Sequence, residues 1–386
     1  MRNSPAFFQR ILIPLLVLAA LCGGFSPLTP FPGSAVGAEI QPVARAATSC
    51  AAIRASIRKV TRQLKKAKRS GNTTAVRRLK KQLRKLKQQL AKCSLAPFIE
   101  MVTVGNPGNA ADPGNTSDPN VYGAVADTFQ IGKHEVTLEQ YTAFLNAVAA
   151  TDTYDLYDPS LLKDSQVAGI QQNGSPGSHT YTVVGAGTRP VTYVDWFAAA
   201  RFCNWLHNGR PTGAQIAGTT ETGAYALNGA TSGLSITRES GAKFWIPSED
   251  EWYKAAYHHP NGLGGPADDY YLYPTMSDTP PDNQIGATPN QANVYTTVYS
   301  VTQSSSVSTT QNYLTDIGAF SGSPSYYGTF DQGGNVWEWT EGINGGQHAL
   351  RGSSWDNLPA QSLSSYRAGG GERADTIGFR VAGGMP

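Results

Sequence analysis

Residues 333–339 read Gly-Gly-Asn-Val-Trp-Glu-Trp, and residues 351–355 read Arg-Gly-Ser-Ser-Trp. Paired glycines let a backbone curl tightly, and Trp337 and Trp339 read as core aromatics. Outward from these blocks, the text from about Ala96 onward is rich in Gly, Thr, Tyr and Trp and poor in long periodic helices. Three helices stand out. Thr137-Leu138-Glu139-Gln140 is a capping box opening a helix over 138–149, with Tyr141, Phe144, Leu145 and Val148 on one face. Asp195 caps a second over 196–207, whose inner stripe is Trp196, Ala199, Ala200, Cys203 and Leu206. Ser248-Glu249-Asp250-Glu251 is another capping box, ahead of a helix through 252–257. Short strands and long loops fill the rest, which predicts an irregular α+β domain over 96–386.

Further blocks are Ile131-Gly132-Lys133-His134-Glu135-Val136-Thr137, Arg189-Pro190-Val191 leading to Asp195-Trp196 and Cys203-Asn204-Trp205-Leu206, Trp245-Ile246-Pro247-Ser248-Glu249-Asp250-Glu251-Trp252, and Ile377-Gly378-Phe379-Arg380. Taken in order with the first two, they make six, and 96–386 resembles the formylglycine-generating enzyme family, the sulfatase-modifying factors. The resemblance implies a fold related to C-type lectins, with little regular structure, aromatic clusters and often calcium.

Enzymes of that family oxidise a sulfatase cysteine with oxygen and copper held by two cysteines, soft thiolates suiting copper(I). The resemblance places those cysteines at Asn357 and Ser362, and no cysteine follows Cys203. Copper is therefore not expected. Cys203 sits on a helical stripe and reads as an inert core thiol. The six histidines show no His-x₃-His spacing, and the adjacent His258 and His259 read as surface residues. For calcium, a hard cation that takes carboxylate and carbonyl oxygens, the resemblance implies the Asp331 and Glu338 side chains with the Gly334 and Val336 carbonyls. A second implied site begins at Asn293-Val294, but its other half is rewritten as 303–308. The family's ligand groove maps onto Trp337, Ser354, Trp355, Asn357 and Ser362, with Arg380 in a supporting block. No spacing points to a hydrolase triad.

Ahead of this domain the chemistry changes. The whole chain has 386 residues and a net charge of only +3. Residues 51–93 nevertheless carry 16 Lys/Arg and no acid, while 94–386 carry 12 Lys/Arg against 27 Asp/Glu. Apolar positions run Ile53, Ile57, Val60, Leu64, Ala67, then Val76, Leu79, Leu83, Leu86, Leu90, in steps of three and four. Folding the chain at Gly71-Asn72 pairs Ile53 with Leu90, Ile57 with Leu86, Val60 with Leu83, Leu64 with Leu79, and Ala67 with Val76. The same register brings Cys50 to Cys93. This predicts a basic antiparallel coiled-coil α-hairpin over 48–94, clamped by a Cys50–Cys93 disulfide and capped at its second helix by Thr73 or Thr74. In the chain-entropy picture such a bridge stabilises by about 4 kcal/mol. An antiparallel two-chain version of the same register stays open.

Arg2 and Arg10 beside the apolar run 11–21, with a small-residue site ending at Ala38, read as a signal peptide over 1–38. Export to a periplasmic, cell-envelope or extracellular setting is expected, where disulfides persist. With no aromatic residue between 51 and 93, base stacking has no support. The basic segment suits an anionic envelope surface or a spacer better than nucleic acid. The expectation for the large domain is a binding module for a peptide, glycan or protein partner. The rival is an oxidoreductase of the same family working through a divergent site.

Overall fold

The computed structural model describes residues 44–93, 98–114 and 121–385. The chain divides into two units, Met1–Gln41 and Pro42–Pro386, and everything described belongs to the second. The expected leader over 1–38 lies outside the described residues.

Two helices come first, α1 (Ala44–Arg69) and α2 (Thr73–Cys93). Between them Gly71 takes φ +68°, a conformation glycine adopts without strain. Val60, Ala67 and Leu79 are buried, and Leu64, Val76, Leu83 and Leu86 pack against them. Most helical stability in proteins comes from packing an amphipathic face, and this seam supplies it here. The cap differs from expectation. Asn72 Oδ1 accepts from the Ala75 N–H at 2.9 Å, so Asn72, not Thr73 or Thr74, is the N-cap of α2. The side chains of Ile53, Leu90, Cys50 and Cys93, and with them the expected disulfide, lie outside the described residues.

The large domain follows as β1 (Met101–Val104), β2 (Phe129–Gly132), α3 (Leu138–Val148), the single turn α4 (Ser160–Lys163), β3 (Ile170–Asn173), β4 (Thr180–Val183), α5 (Trp196–His207), β5 (Phe244–Trp245), α6 (Glu249–Tyr257), β6 (Trp337–Asn344), β7 (Gln347–Arg351), β8 (Ala368–Gly370), β9 (Ile377–Gly378) and β10 (Ala382–Gly383). One antiparallel sheet has the order β1-β2-β10-β5. A second, β8-β7-β6-β9, mixes antiparallel pairs with a parallel β6–β9 contact. The remaining pair is the β3–β4 hairpin. Helices and sheets alternate without a repeating unit, which is the irregular α+β class.

The helices start where their caps lie. Thr137 Oγ1 accepts from the Gln140 N–H at 3.3 Å, and Gln140 Oε1 accepts from the Thr137 N–H at 2.8 Å. Ser248 and Glu251 make the same reciprocal pair for α6. Asp195 accepts from the Ala198 N–H at 2.6 Å to open α5. The inner faces of α3 and α5 meet through aromatics: Phe202 stands edge-on to Phe144 at 5.4 Å and to Phe379 at 5.3 Å. Each such ring contributes roughly 1.5–3 kcal/mol through burial. This core brings the 377–380 block against α5 and β2, and so fixes where Arg380 reaches.

Candidate functional site

The 331–339 stretch wraps around a buried charge knot. Asp331, Gly334 and Asn335 all take positive φ, at +61°, +82° and +62°. Gly334 is required: a Cβ there would lie 2.3 Å from the Asn293 carbonyl oxygen. The curl turns Glu338, at the start of β6, inward to Arg380. Arg380 donates from Nε to Glu338 Oε2 and from Nη2 to Glu338 Oε1, both at 2.6 Å. Trp252 Nε1, from α6, donates to Glu338 Oε2 at 2.7 Å. The guanidinium also donates to the Gly132 and Phe330 carbonyls, each at 2.9 Å. One buried ion pair thus ties together β2, α6, β6 and the 377–380 block.

Asn335 is the second hub. Its Nδ2 donates to Glu135 Oε1 at 3.0 Å, and its Oδ1 accepts from Asn293 Nδ2 at 3.0 Å and the Thr315 N–H at 3.1 Å. Glu135 Oε2 is buried with no partner. Burial, with Asp331 adding repulsion, pushes the Glu135 carboxyl well above the ordinary range. Burial likewise raises Asp331 to about 6, against the opposing pull of the Gly318 N–H at 2.6 Å and of Arg380. His134, stacked on Phe330, is held down at about 3 by burial and by Arg380 and Lys133.

These facts test the calcium set. The orphaned Glu135 oxygen and the Asp331–Glu135 repulsion fit a cation beside Asp331, with the Gly334 and Val336 carbonyls on the same curl. Glu338 does not fit, because both its oxygens accept from Arg380 and Trp252. The other implied start, Asn293-Val294, is spent internally. The Asn293 amide donates to the Tyr313 carbonyl at 3.0 Å, its carbonyl accepts from the Asn335 N–H at 2.9 Å, and the Val294 carbonyl accepts from Asn283 Nδ2 at 3.1 Å. Among the described residues no three His, Cys, Asp or Glu side chains group as a metal site.

Asn357 and Ser362, the positions to which the sequence resemblance assigned the copper cysteines, lie in a hydrogen-bonded polar web. Ser354 Oγ donates to Asn357 Oδ1 at 2.7 Å. Ser362 Oγ shares a 2.6 Å hydrogen bond with Ser353 Oγ, and the Ser362 carbonyl accepts from Tyr257 Oη at 3.0 Å. Ser354, Ser362, Trp355 and Trp337 are all buried, and Asn357 is half-buried. Trp355 stacks on Tyr313 with ring centres 5.0 Å apart, its indole N–H buried and unpartnered. Cys203 is a free, fully buried thiol whose pKa burial drives up. A thiol in that state is neither a nucleophile nor a ready metal ligand.

Two features escaped the sequence. His258 is buried rather than on the surface, with Nδ1 2.7 Å from Tyr327 Oη and Nε2 3.3 Å from Asn106 Nδ2. Tyrosines surround it, so a ring that reads as polar text is covered by aromatic surface. Glu135 is a buried carboxylate, and the only signal was its place beside a histidine in the 131–137 block.

A profile of the family described as "Sulfatase-modifying factor enzyme 1-like domain" matches residues 94–384. Among solved structures, CarF is similar at 20% identity and a TM-score of 0.44, over 75% of this chain and 99% of that one. Treponema denticola variable protein 1 is similar at 18% identity and a TM-score of 0.39, over 74% of this chain and 95% of that one. No curated protein matches the chain.

Proposed function

The chain belongs to the sulfatase-modifying factor enzyme 1-like family, and from that premise we propose that it is an exported binding module without copper chemistry. The observation that carries the reading is the web at Ser353, Ser354, Asn357 and Ser362. Hydroxyls and an amide are hard donors that do not hold copper(I) as a thiolate pair does. They also satisfy one another, which stabilises the turn as a structural element. The scaffold keeps its family blocks while the redox pair is replaced, and a kept scaffold with a lost redox pair suits recognition. Calcium belongs to the reading as a brace beside Asp331, where it would neutralise two repelling carboxylates.

The basic helices serve as the contact to an anionic envelope surface. Sixteen cations without an acid over residues 51–93 face a domain of net negative charge in the same chain, so the two parts of the molecule seek different partners. Binding of the full chain to vesicles containing anionic lipid is expected to fall steeply as salt rises. Salt-independent binding would contradict that role.

The enzyme question is tested by aerobic incubation of the protein, with added copper, with a cysteine-containing sulfatase peptide. No aldehyde is expected by mass spectrometry. Aldehyde formation would overturn the reading in favour of a redox site elsewhere in the fold.

A further inference from the structure

A cleft of about 770 Å³ opens between the start of α5, the 231–234 loop, the β6–β7 turn and the end of β8. None of its lining residues belongs to the copper positions or to the charge knot. His348, in its wall, is only 6% exposed, and its ring lies flat on Trp196 with centres 4.1 Å apart. Burial lowers its pKa to about 4, partly opposed by a hydrogen bond with the Gly233 backbone, so the ring is neutral at physiological pH. Because that bond raises the pKa, the ring is its donor: an imidazole N–H meets the Gly233 carbonyl, whereas a backbone N–H given to the ring would favour the neutral form. A neutral imidazole that donates from one nitrogen accepts at the other. The accepting nitrogen is buried in the wall without a partner.

The indole and guanidinium donors of the wall are held by the protein. Trp196 Nε1 donates to the Thr340 carbonyl at 3.1 Å, and Trp339 Nε1 to the Val194 carbonyl at 2.7 Å. Arg373 grips Asp195 Oδ2 through Nε at 2.7 Å and Nη2 at 2.5 Å. That pair is neutral as a unit and leaves Asp158 and Glu372, neither of which forms an ion pair among the described residues. Asp158 Oδ1 accepts from the Ser160 N–H at 2.7 Å, and Oδ2 has no donor. The Thr231 and Ser232 hydroxyls accept as readily as they donate. What is unmet is thus one imidazole lone pair and two carboxylates, on three separate segments. An anion has no donor for the lone pair and is repelled by this wall. A guanidinium is a planar fork that suits one bidentate carboxylate. An ammonium is compact and only donates, through three rotatable N–H groups, which matches three separate acceptors.

We infer that this cleft binds a primary ammonium group, of the kind a lysine side chain or a small diamine presents, which donates to the free His348 nitrogen and is held by Asp158 and Glu372. The volume, within the range of small-molecule sites, roughly 300–1,000 Å³, leaves room for the alkyl chain that carries it. The inference rests on the binding-module reading and names the ligand class and the place.

The test is saturation-transfer NMR on the full chain at about 0.15 M salt, where the long-range pull of the acidic domain on any cation is screened. The probes are N-acetyl-lysine methylamide and cadaverine. The Nε-acetylated form of the lysine amide, the matching arginine amide and glucose are the competitors. Transfer to at least one amine is expected, with none to the Nε-acetylated form. A stronger signal from the lysine amide assigns a peptide-borne lysine, and a stronger signal from cadaverine a free amine. Affinity is expected to fall about tenfold in Asp158→Asn and in Glu372→Gln, whose side chains are not in the core, with the circular dichroism unchanged. His348→Phe, which keeps a ring on Trp196 but removes the acceptor, is expected to weaken the same amine. Silence from both amines, equal transfer to the Nε-acetylated form, transfer to the arginine amide or glucose alone, or wild-type affinity in all three variants would overturn the assignment. Amine failure together with no aldehyde in the sulfatase-peptide assay removes the cleft and leaves the binding-module reading standing. Aldehyde formation removes that reading whatever the amines do.

Discussion

At the residue scale, the Arg380–Glu338 pair decides how the family blocks hold together. Both side chains are essentially excluded from solvent, at 0% and 1%. Removing one partner strands a buried charge and costs about 3–5 kcal/mol. Arg380→Leu is therefore expected to lower unfolding free energy by that amount in a urea titration. The double variant Glu338→Gln with Arg380→Leu is expected to recover part of it. An Arg380→Leu protein as stable as wild type would refute the knot. Three histidines give a pH signature: His134, held at about 3 by burial and by Arg380 and Lys133, and two more. Burial first, among the causes, holds His258 and His348 at about 4, below the ordinary 6.5. Between those values the folded chain binds fewer protons than the unfolded chain. The histidine contribution is whole above about pH 6.5 and declines as pH falls toward 4, while Asp331, raised to about 6, contributes in the opposite sense. Each histidine contributes no more than a few kcal/mol, at ~1.4 kcal/mol per pKa unit. Asp195 and Arg373, which pair with each other, line one pocket with His348, Asp158 and Glu372. His348→Phe is expected to flatten part of the acid decline in unfolding measured across pH 4–7. An unchanged slope would show that the ring is not held neutral.

At the element scale, caps explain what was legible. The helices α3, α5 and α6 were readable because a polar residue, a helix-period apolar face and, for two of them, a capping box agree on one start. The strands were not. β5, β9 and β10 are two residues long, too short for alternation to register, and they exist because Ala382 lies between Ile131 and Trp245 in the folded sheet. The charge knot was half legible. Asp331 and Glu338 could be singled out, but Arg380 sits 42 residues beyond Glu338, and nothing local to either announces the partner. The α2 start shows a finer limit: three cap-competent residues follow Gly71, and the turn geometry selects the first. Asn72→Ala is expected to weaken α2 by about 1 kcal/mol and to speed amide exchange in its first turn. Equal exchange rates in the variant would move the cap to Thr73 or Thr74. Ser248→Ala should destabilise the large domain by a similar amount, about 1 kcal/mol, read as a lower Tm.

At the scale of the whole molecule, the family scaffold spans residues 94–384, and Ser353, Ser354, Asn357 and Ser362 pack within it as hydrogen-bonded polar side chains. Sequence blocks revealed the scaffold because glycines and tryptophans at fixed spacing are demanded by curls and close approaches, as at Gly334 against Asn293. The basic helices carry a charge opposite to that of the large domain. The measurement that bears most directly on the central claim is the metal content of the full chain, purified without chelator from its native compartment, by mass spectrometry. The account predicts calcium near one per chain and no stoichiometric copper or iron. Copper or iron at one per chain would contradict it.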